Sequence, residues 1–373
     1  MRITILSGPF QPFPPAPGGA VERVWHGLAE AFAAQGHTVT VLCKAGVGQK
    51  VEETVNGVRY VRRTGFTAGP RLLPNLVKDL GYSLQMQRLL PPADVLVTHS
   101  FWAPVAAHLR RGVGRVVVHV ARMPKGQLRL YDRATRLNVP SSAVRDAIAG
   151  ERAKLLPKVR VVPYPVDGRF TPPAEKRPRK PQPTVLFAGR IHPEKGLDLL
   201  VEAFARLDPV RLPARLRIVG PWLVAQGGAG GEYRAALAAK SAGRAVELVE
   251  PVFDRVGLAN EYRAADLFCY PSLAEAGETF GVAPLEAMAT GLPPVVSDLA
   301  CFRDFITDGA TGVVFDHRRP DPAGRLAEQL GRLLGAPALR EQIAGRAASR
   351  AAAHTLPRVA AAHLRDFEEV LSE

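Results

Sequence analysis

Along this chain, short apolar runs alternate with stretches of helical spacing. Residues 2–6, 38–43, 94–98, 115–120 and 159–162 are compact and rich in Val, Ile and Leu, as expected of strands buried on both faces. Between the first two, residues 20–36 place apolar side chains at helical intervals and close on Gly36, a natural stop. A second series of strands follows at 184–188, 215–219, 246–249, 266–270 and 294–296. Helical stretches at 197–207, 232–241, 257–264 and 283–290 separate them, and 356–371 forms a last helix. Strands separated by helices predict parallel sheets covered on both faces. Segment 167–183, DGRFTPPAEKRPRKPQP, interrupts the pattern with five prolines and a basic run, and reads as a linker. The run 176–180 within it reads either as solvated linker or as a nucleic-acid patch. The predicted organisation is a domain over 1–168, a linker over 169–183, a second domain over 184–353 and a helix in 354–373. Two such domains in succession predict a cleft facing the carboxyl ends of both sheets.

Composition narrows the class. With 373 residues, 23% charged and 47% apolar, the chain has the make-up of an ordinary globular protein with room for two cores. Its longest apolar runs fall well short of the ~20 residues that span a bilayer. The opening MRITILSGPF reads as a short strand followed by proline rather than a secretory leader. Cys43, Cys269 and Cys301 are odd in number and form no C-x-x-C, which points to reduced core thiols and a cytoplasmic location. The net charge of +14 is lopsided: residues 1–170 hold 24 Lys and Arg against 10 Asp and Glu, while the remainder balances at 25 of each. Such an excess fits an anionic partner for the first half, or an Arg-rich solvated surface.

Two blocks carry candidate chemistry. In 271–291, PSLAEAGETFGVAPLEAMATG, seven residues separate Glu278 from Glu286. Pro284 suits the first turn of a helix and Gly291 its end, so Glu278 falls on a strand-to-helix loop and Glu286 just inside the helix. Free N–H groups at a helix start seat a phosphate, and carboxylates beside them accept from hydroxyls, a pairing suited to a nucleotide sugar. In FAGRIHPEKGL, Arg190 and Lys195 occupy the loop after strand 184–188, where two cations suit a pyrophosphate; a surface ion pair with Glu194 is the plainer reading. Gly18 and Gly19 open the helix near residue 20 and suit either an anion or the turn itself. His119 and His99 lie on apolar strands, where histidine is a core residue or a ligand contact. Arg122, Lys125 and Arg129 are candidate acceptor contacts. Three patterns mislead: GGAGG at 227–231 fits no phosphate loop and reads as a flexible connector. Glu275 and Glu278 share one short loop, unlike a glycosidase pair, and no D-x-D occurs, so no metal is expected.

Taken together, these blocks resemble the retaining GT-B glycosyltransferases of family 4, the group that includes glycogen synthases and bacterial mannosyltransferases. The resemblance runs from PPAPGG-x-x-E-R and the 28–42 stretch through FAGR-x-x-x-EKG, Gly220 and ADLFCYPS to E-T-F-G-x-x-P-L-E-A-M-A-x-G. It implies two Rossmann-like doubly wound α/β domains facing a cleft, with the last helix returning to the first domain. It further implies that Arg190 and Lys195 bind the donor pyrophosphate, Glu278 the sugar hydroxyls and Glu286 the ribose. His119 would lie near the donor sugar and Gly19 near a phosphate. Main chain at Val252 and Phe253 would hold the base, with Gly220 beside the donor, and the N–H groups of Phe280, Gly281 and Val282 would hold sugar or phosphate oxygens. One departure is Tyr164-Pro165, where the family often has Asn-Gly before Val-Asp. The implied activity is metal-independent transfer of a hexose from a nucleotide diphosphate to a hydroxyl acceptor with retention by front-face attack, needing no separate cofactor. An anionic or lipid-linked acceptor and a peripheral contact at the inner membrane face fit the basic first half; no nucleic acid is expected. An epimerase or phosphorylase of the same fold, and a non-catalytic polyanion binder, are the rival readings.

Overall fold

The computed structural model describes residues 1–14, 19–69, 71–175 and 181–373. It forms two compact units, one of Met1–Pro165 with Leu356–Glu373 and the other of Val166–Thr355.

In the first unit, β1 (Arg2–Leu6), β2 (Thr38–Lys44), β3 (Glu52–Val55), β4 (Val58–Arg63), β5 (Val95–Thr98), β6 (Arg115–His119), β7 (Arg136–Val139) and β8 (Val159–Val161) form one sheet. Their order is β3-β4-β2-β1-β5-β6-β7-β8, parallel except for the β3–β4 hairpin. Helix α1 (Ala20–Ala34) buries Trp25, Leu28, Ala29 and Phe32 against it. Helices α2 (Leu72–Gln87), α3 (Ala103–Ala107) and α4 (Ser142–Arg152) complete the unit, the last capped by the Ser141 hydroxyl, which accepts from Val144 N at 3.3 Å. The C-terminal helix, Leu356–Ser372, closes the same core: Val359, Ala360, His363 and Phe367 are buried, and the Phe367 ring meets Phe32 edge-on at 5.9 Å. Its polar side is fastened to β7. Arg136, 2% exposed, lies 3.1 Å from Asp366, and Asn138 Nδ2 donates to the same carboxylate at 2.9 Å.

The second unit is a six-stranded parallel sheet of β9 (Thr184–Ala188), β10 (Arg215–Val219), β11 (Val246–Val249), β12 (Leu267–Tyr270), β13 (Pro294–Ser297) and β14 (Val313–Phe315). The order is β11-β10-β9-β12-β13-β14. Helices α5 (Leu197–Ala205), α6 (Gly231–Lys240), α7 (Arg255–Ala264), α8 (Val282–Ala289), α9 (Pro322–Gly335) and α10 (Pro337–Ala351) accompany it. The strand order reverses between β9 and β12, and such a reversal point is the usual ligand position in open α/β sheets.

Several elements exceed the pattern of apolar runs. The β3–β4 hairpin turns on Asn56-Gly57, with φ of 50° and 78°, the positive values a two-residue hairpin turn demands. Strand β7 (RLNV) is hidden by its buried polar pair, which the C-terminal helix satisfies 228 residues away. The boundary also differs from the expected 168/169. Val166 pairs with Thr355 and donates to His354 O at 2.8 Å, and Phe170 is buried edge-on against Tyr262 at 5.2 Å. The start of the expected linker is therefore packed into the second unit. Its basic run 176–180 and Gly18 lie outside the described residues.

Candidate active site

Two loops of the second unit meet at the reversal of strand order. After β9 the chain turns through Arg190 to a short 3-10 turn, Pro193–Lys195, which ends on Gly196 at φ 69°. That glycine is obligatory, since a Cβ there would lie 2.0 Å from Pro271 O. The close approach joins this loop to the one after β12, and Leu273 N donates to Glu194 O at 2.8 Å. Lys195 and Glu278 are brought together as a result: Nζ donates to Glu278 Oε2 at 2.7 Å, with the two side chains 7% and 13% exposed. The same oxygen accepts from the Tyr270 hydroxyl at 3.1 Å and from Ser272 Oγ at 3.2 Å. Lys195 Nζ also lies 5.5 Å from the Tyr270 ring centre. Three donors on one oxygen hold this carboxylate fixed in place.

Arg190 is half in solvent. Its guanidinium donates to Glu194 at 2.6 Å and to Gly227 O at 2.9 Å. The glycine stretch 227–231 is thus no loose connector: Ala229 N donates to Ile191 O, Gly230 N to Trp222 O, and Gly227 O holds Arg190. The plainer reading of Arg190, an ion pair with Glu194, is what the structure contains. Gly220 serves packing, since a Cβ would stand 1.8 Å from Gly189 O.

Helix α8 starts at Val282 behind Gly281, whose φ of 93° and contact with Phe302 exclude a side chain. Phe280 is buried against Phe305 at 5.2 Å. One turn into α8, Glu286 is 4% exposed and already engaged. Arg255 reaches its Oε1, and the Tyr262 hydroxyl donates to Oε2 at 3.3 Å. Arg255 also meets Asp167 at 3.3 Å and covers the Phe170 ring at 4.4 Å. Burial opposes the Arg255 charge, but the Glu286 and Asp167 carboxylates outweigh it and raise its pKa. Glu286 is thus an ion-paired, buried carboxylate. Val252 is half-buried and Phe253 exposed, just before α7. Glu275 is turned outward to His317 and Arg318, apart from the Lys195–Glu278 pair.

His119 and Gly19 belong to the first unit. Gly19, φ 57°, precedes α1 and its carbonyl accepts from Arg23 N. His119 is 4% exposed, with Nε2 2.9 Å from the Tyr164 hydroxyl. Burial pushes its pKa down to about 3, so the ring is neutral. Trp25 packs tilted or edge-on, with ring centres 4.8–5.3 Å apart, among His99, His119 and His363, the last also pushed down to about 3 by burial. The departure at Tyr164 therefore lands directly on His119. Burial raises the Glu22 carboxyl, partly offset by a backbone hydrogen bond and by Arg122. Tyr270, Ser272, Tyr262 and Arg255 were not among the expected site residues. Ser272 lies within the ADLFCYPS block, whereas nothing in the sequence links Arg255 to a residue 31 positions on.

Residues 19–166 match the model described as "Glycosyl transferase 4-like domain", and residues 170–350 match "Glycosyl transferases group 1". The chain is 32% identical over 314 residues to a D-inositol 3-phosphate glycosyltransferase of Frankia alni, covering 75% of each. It is 35% identical over 239 residues to the protein of that name in Actinosynnema mirum, covering 61% of this chain but only 55% of that one. The fold matches the sucrose-phosphate synthase of Thermosynechococcus elongatus with a TM-score of 0.81, all of both chains and 21% identity. With both units of the chain matched in this way, it belongs to the family 4 glycosyltransferases of GT-B fold.

Proposed function

We propose that this enzyme transfers a hexose from a nucleotide diphosphate to a hydroxyl acceptor with retained anomeric configuration and without a metal. The observation that carries the reading is the Lys195–Glu278 pair, held at the reversal point between β9 and β12 with Arg190 on the same loop. In the step, the bond from the anomeric carbon to the leaving phosphate oxygen breaks and the acceptor oxygen bonds to that carbon. The acceptor proton passes to an oxygen of the leaving diphosphate. Charge grows on the diphosphate, and Arg190 and Lys195 offset it; one such group supplies ~3–4 kcal/mol in a transition state. Arg190 must exchange Glu194 for phosphate, a small cost for a half-exposed pair. Glu278, held in place by three donors on Oε2, accepts from sugar hydroxyls. Glu286 takes the ribose, main chain at Val252 and Phe253 the base, and the N–H groups at Phe280, Gly281 and Val282 phosphate or sugar oxygens. Gly19 and a neutral His119 serve as hydrogen-bonding groups toward substrate.

The acceptor is anionic or lipid-linked. The first half carries all of the +14 charge, and the two relatives are named for a phosphorylated acceptor. No helix among the described residues is long and apolar enough to cross a membrane, so the proposed contact is peripheral, at the cytoplasmic face. The test is incubation with UDP-, GDP- and ADP-hexoses and D-inositol 3-phosphate, with and without chelator, following the anomeric proton by NMR. A retained configuration and indifference to chelator are expected; inversion, or turnover lost on adding chelator, would overturn the mechanism.

A further inference from the structure

Glu194 is pinned through its main chain and loose at its side chain. Its N–H donates to His192 Nδ1 at 3.3 Å, and its carbonyl accepts from Leu273 N at 2.8 Å and from Ser272 Oγ at 3.4 Å. The side chain beyond this anchor is 34% exposed. Its Oε1 stands beside both cations of the loop, 2.6 Å from Arg190 Nη2 and 3.8 Å from Lys195 Nζ. A carboxylate oxygen shared by these two groups supplies the charge that a phosphate oxygen would bring to them. Arg190 is divided in a similar way. Nη1 donates to Gly227 O at 2.9 Å. Gly227 has φ of 83°, and a Cβ there would lie 3.0 Å from Arg190 Cδ, so the position favours glycine. One end of the guanidinium is thus held by main chain. The other end, Nη2, is held by a carboxylate with access to solvent, a bond that a second anion can replace.

We infer that Glu194 is a built-in competitor of the donor diphosphate. It holds Nη2 of Arg190, gives way when a nucleotide diphosphate binds, and so limits how tightly the site keeps donor and product. Nη1 stays on Gly227 O throughout, so the guanidinium changes one partner without losing its place. As the nucleoside diphosphate leaves, the bond from Arg190 to Glu194 re-forms and offsets part of the cost of parting the charges. The inference rests on the donor reading of Arg190 and Lys195 and adds to it a residue that sets affinity.

The test is calorimetric titration of wild type, Glu194→Gln, Arg190→Met and the double variant with UDP, GDP and ADP. Glutamine keeps the length of the side chain and its oxygen, so the charge is lost while Arg190 stays in place. Without the competing carboxylate, Glu194→Gln should bind nucleoside diphosphate about fivefold more tightly than wild type. In turnover, its KM for the nucleotide hexose should fall by a similar factor with no rise in kcat, the mark of uniform binding. In the Arg190→Met background the same substitution should gain less than about twofold, because Nη2 is no longer there to be contested. Unchanged or weaker binding by Glu194→Gln in a protein whose wild type turns over nucleotide hexose overturns the inference and leaves the glycosyltransferase reading standing. So does an equal gain in the Arg190→Met background, which would be a general effect of charge. Binding of no nucleoside diphosphate by any of the four proteins would overturn both.

Discussion

Lys195 and Glu278 form a nearly dry ion pair, and removing either partner strands the other. Lys195→Met leaves the Glu278 carboxylate with Tyr270 and Ser272 alone, in a site 13% exposed. Glu278→Gln leaves the ammonium with the Tyr270 ring and with Glu194 at 3.8 Å. Breaking a buried pair costs about 3–5 kcal/mol, largely the cost of the uncompensated charge. In a unit of this size each kcal/mol shifts the melting point by about 2–4 °C, so either variant should lower it by roughly 6–20 °C. The double variant Lys195→Met/Glu278→Gln removes both charges. It should cost about as much as one single variant, so the coupling equals one single loss, about 3–5 kcal/mol. Urea-dependent hydrogen exchange of peptides covering β9 and β12 reads the stability of this unit separately from the first. Additive losses would show that the two side chains do not depend on each other, and would remove the structural basis for placing Lys195 at the site.

The first unit should lose stability on mild acidification. His119 and His363 are held neutral by burial with pKa values near 3, against about 6.5 when unfolded, so the unfolded chain takes up protons first. Stability is full above pH 6.5 and should fall by about 1.4 kcal/mol per pH unit for each histidine below it. The buried carboxyls Glu22 and Asp366, whose pKa values are raised, act in the opposite sense but only nearer the carboxylate range. Urea midpoints that stay flat between pH 6.5 and 5.5 would contradict this. Glu286→Gln should weaken nucleotide diphosphate binding about 10–100-fold by calorimetry, the worth of a hydrogen bond to a charged group. Equal affinity would remove Glu286 from the ribose. Tyr164→Phe should shift the His119 ring nitrogens in a 15N spectrum, because Nε2 loses its hydroxyl partner at 2.9 Å. An unchanged spectrum would show that the contact is not made.

What the sequence made legible follows from what short-range pattern encodes. The apolar runs of β1, β2, β9 and β12 are buried on both faces, so they stand out without any knowledge of their neighbours. Glu278 and Lys195 could be named because each lies in a compact block at a strand end. Their meeting at one oxygen depends on strand order, which no local pattern carries. Strand β7 and the ion pair of Arg136 with Asp366 escape for the same reason: a buried arginine reads as a surface residue until the last helix is in place. Arg255 is the sharpest case. It is one of many arginines in the chain, and only the packing of α7 beside α8 makes it the partner of Glu286. The Asn56-Gly57 hairpin, by contrast, carried its own signal in a dipeptide.

The central claim, that Arg190 and Lys195 support departure of a nucleotide diphosphate, is tested most directly by turnover of the Arg190→Met variant. Arg190 is half exposed and its ion pair with Glu194 adds little to stability, so the protein should fold normally. With the nucleotide hexose that the wild type turns over, the variant is expected to retain donor binding while kcat falls about 100- to 1,000-fold. Near-normal kcat in a folded Arg190→Met protein would contradict the account.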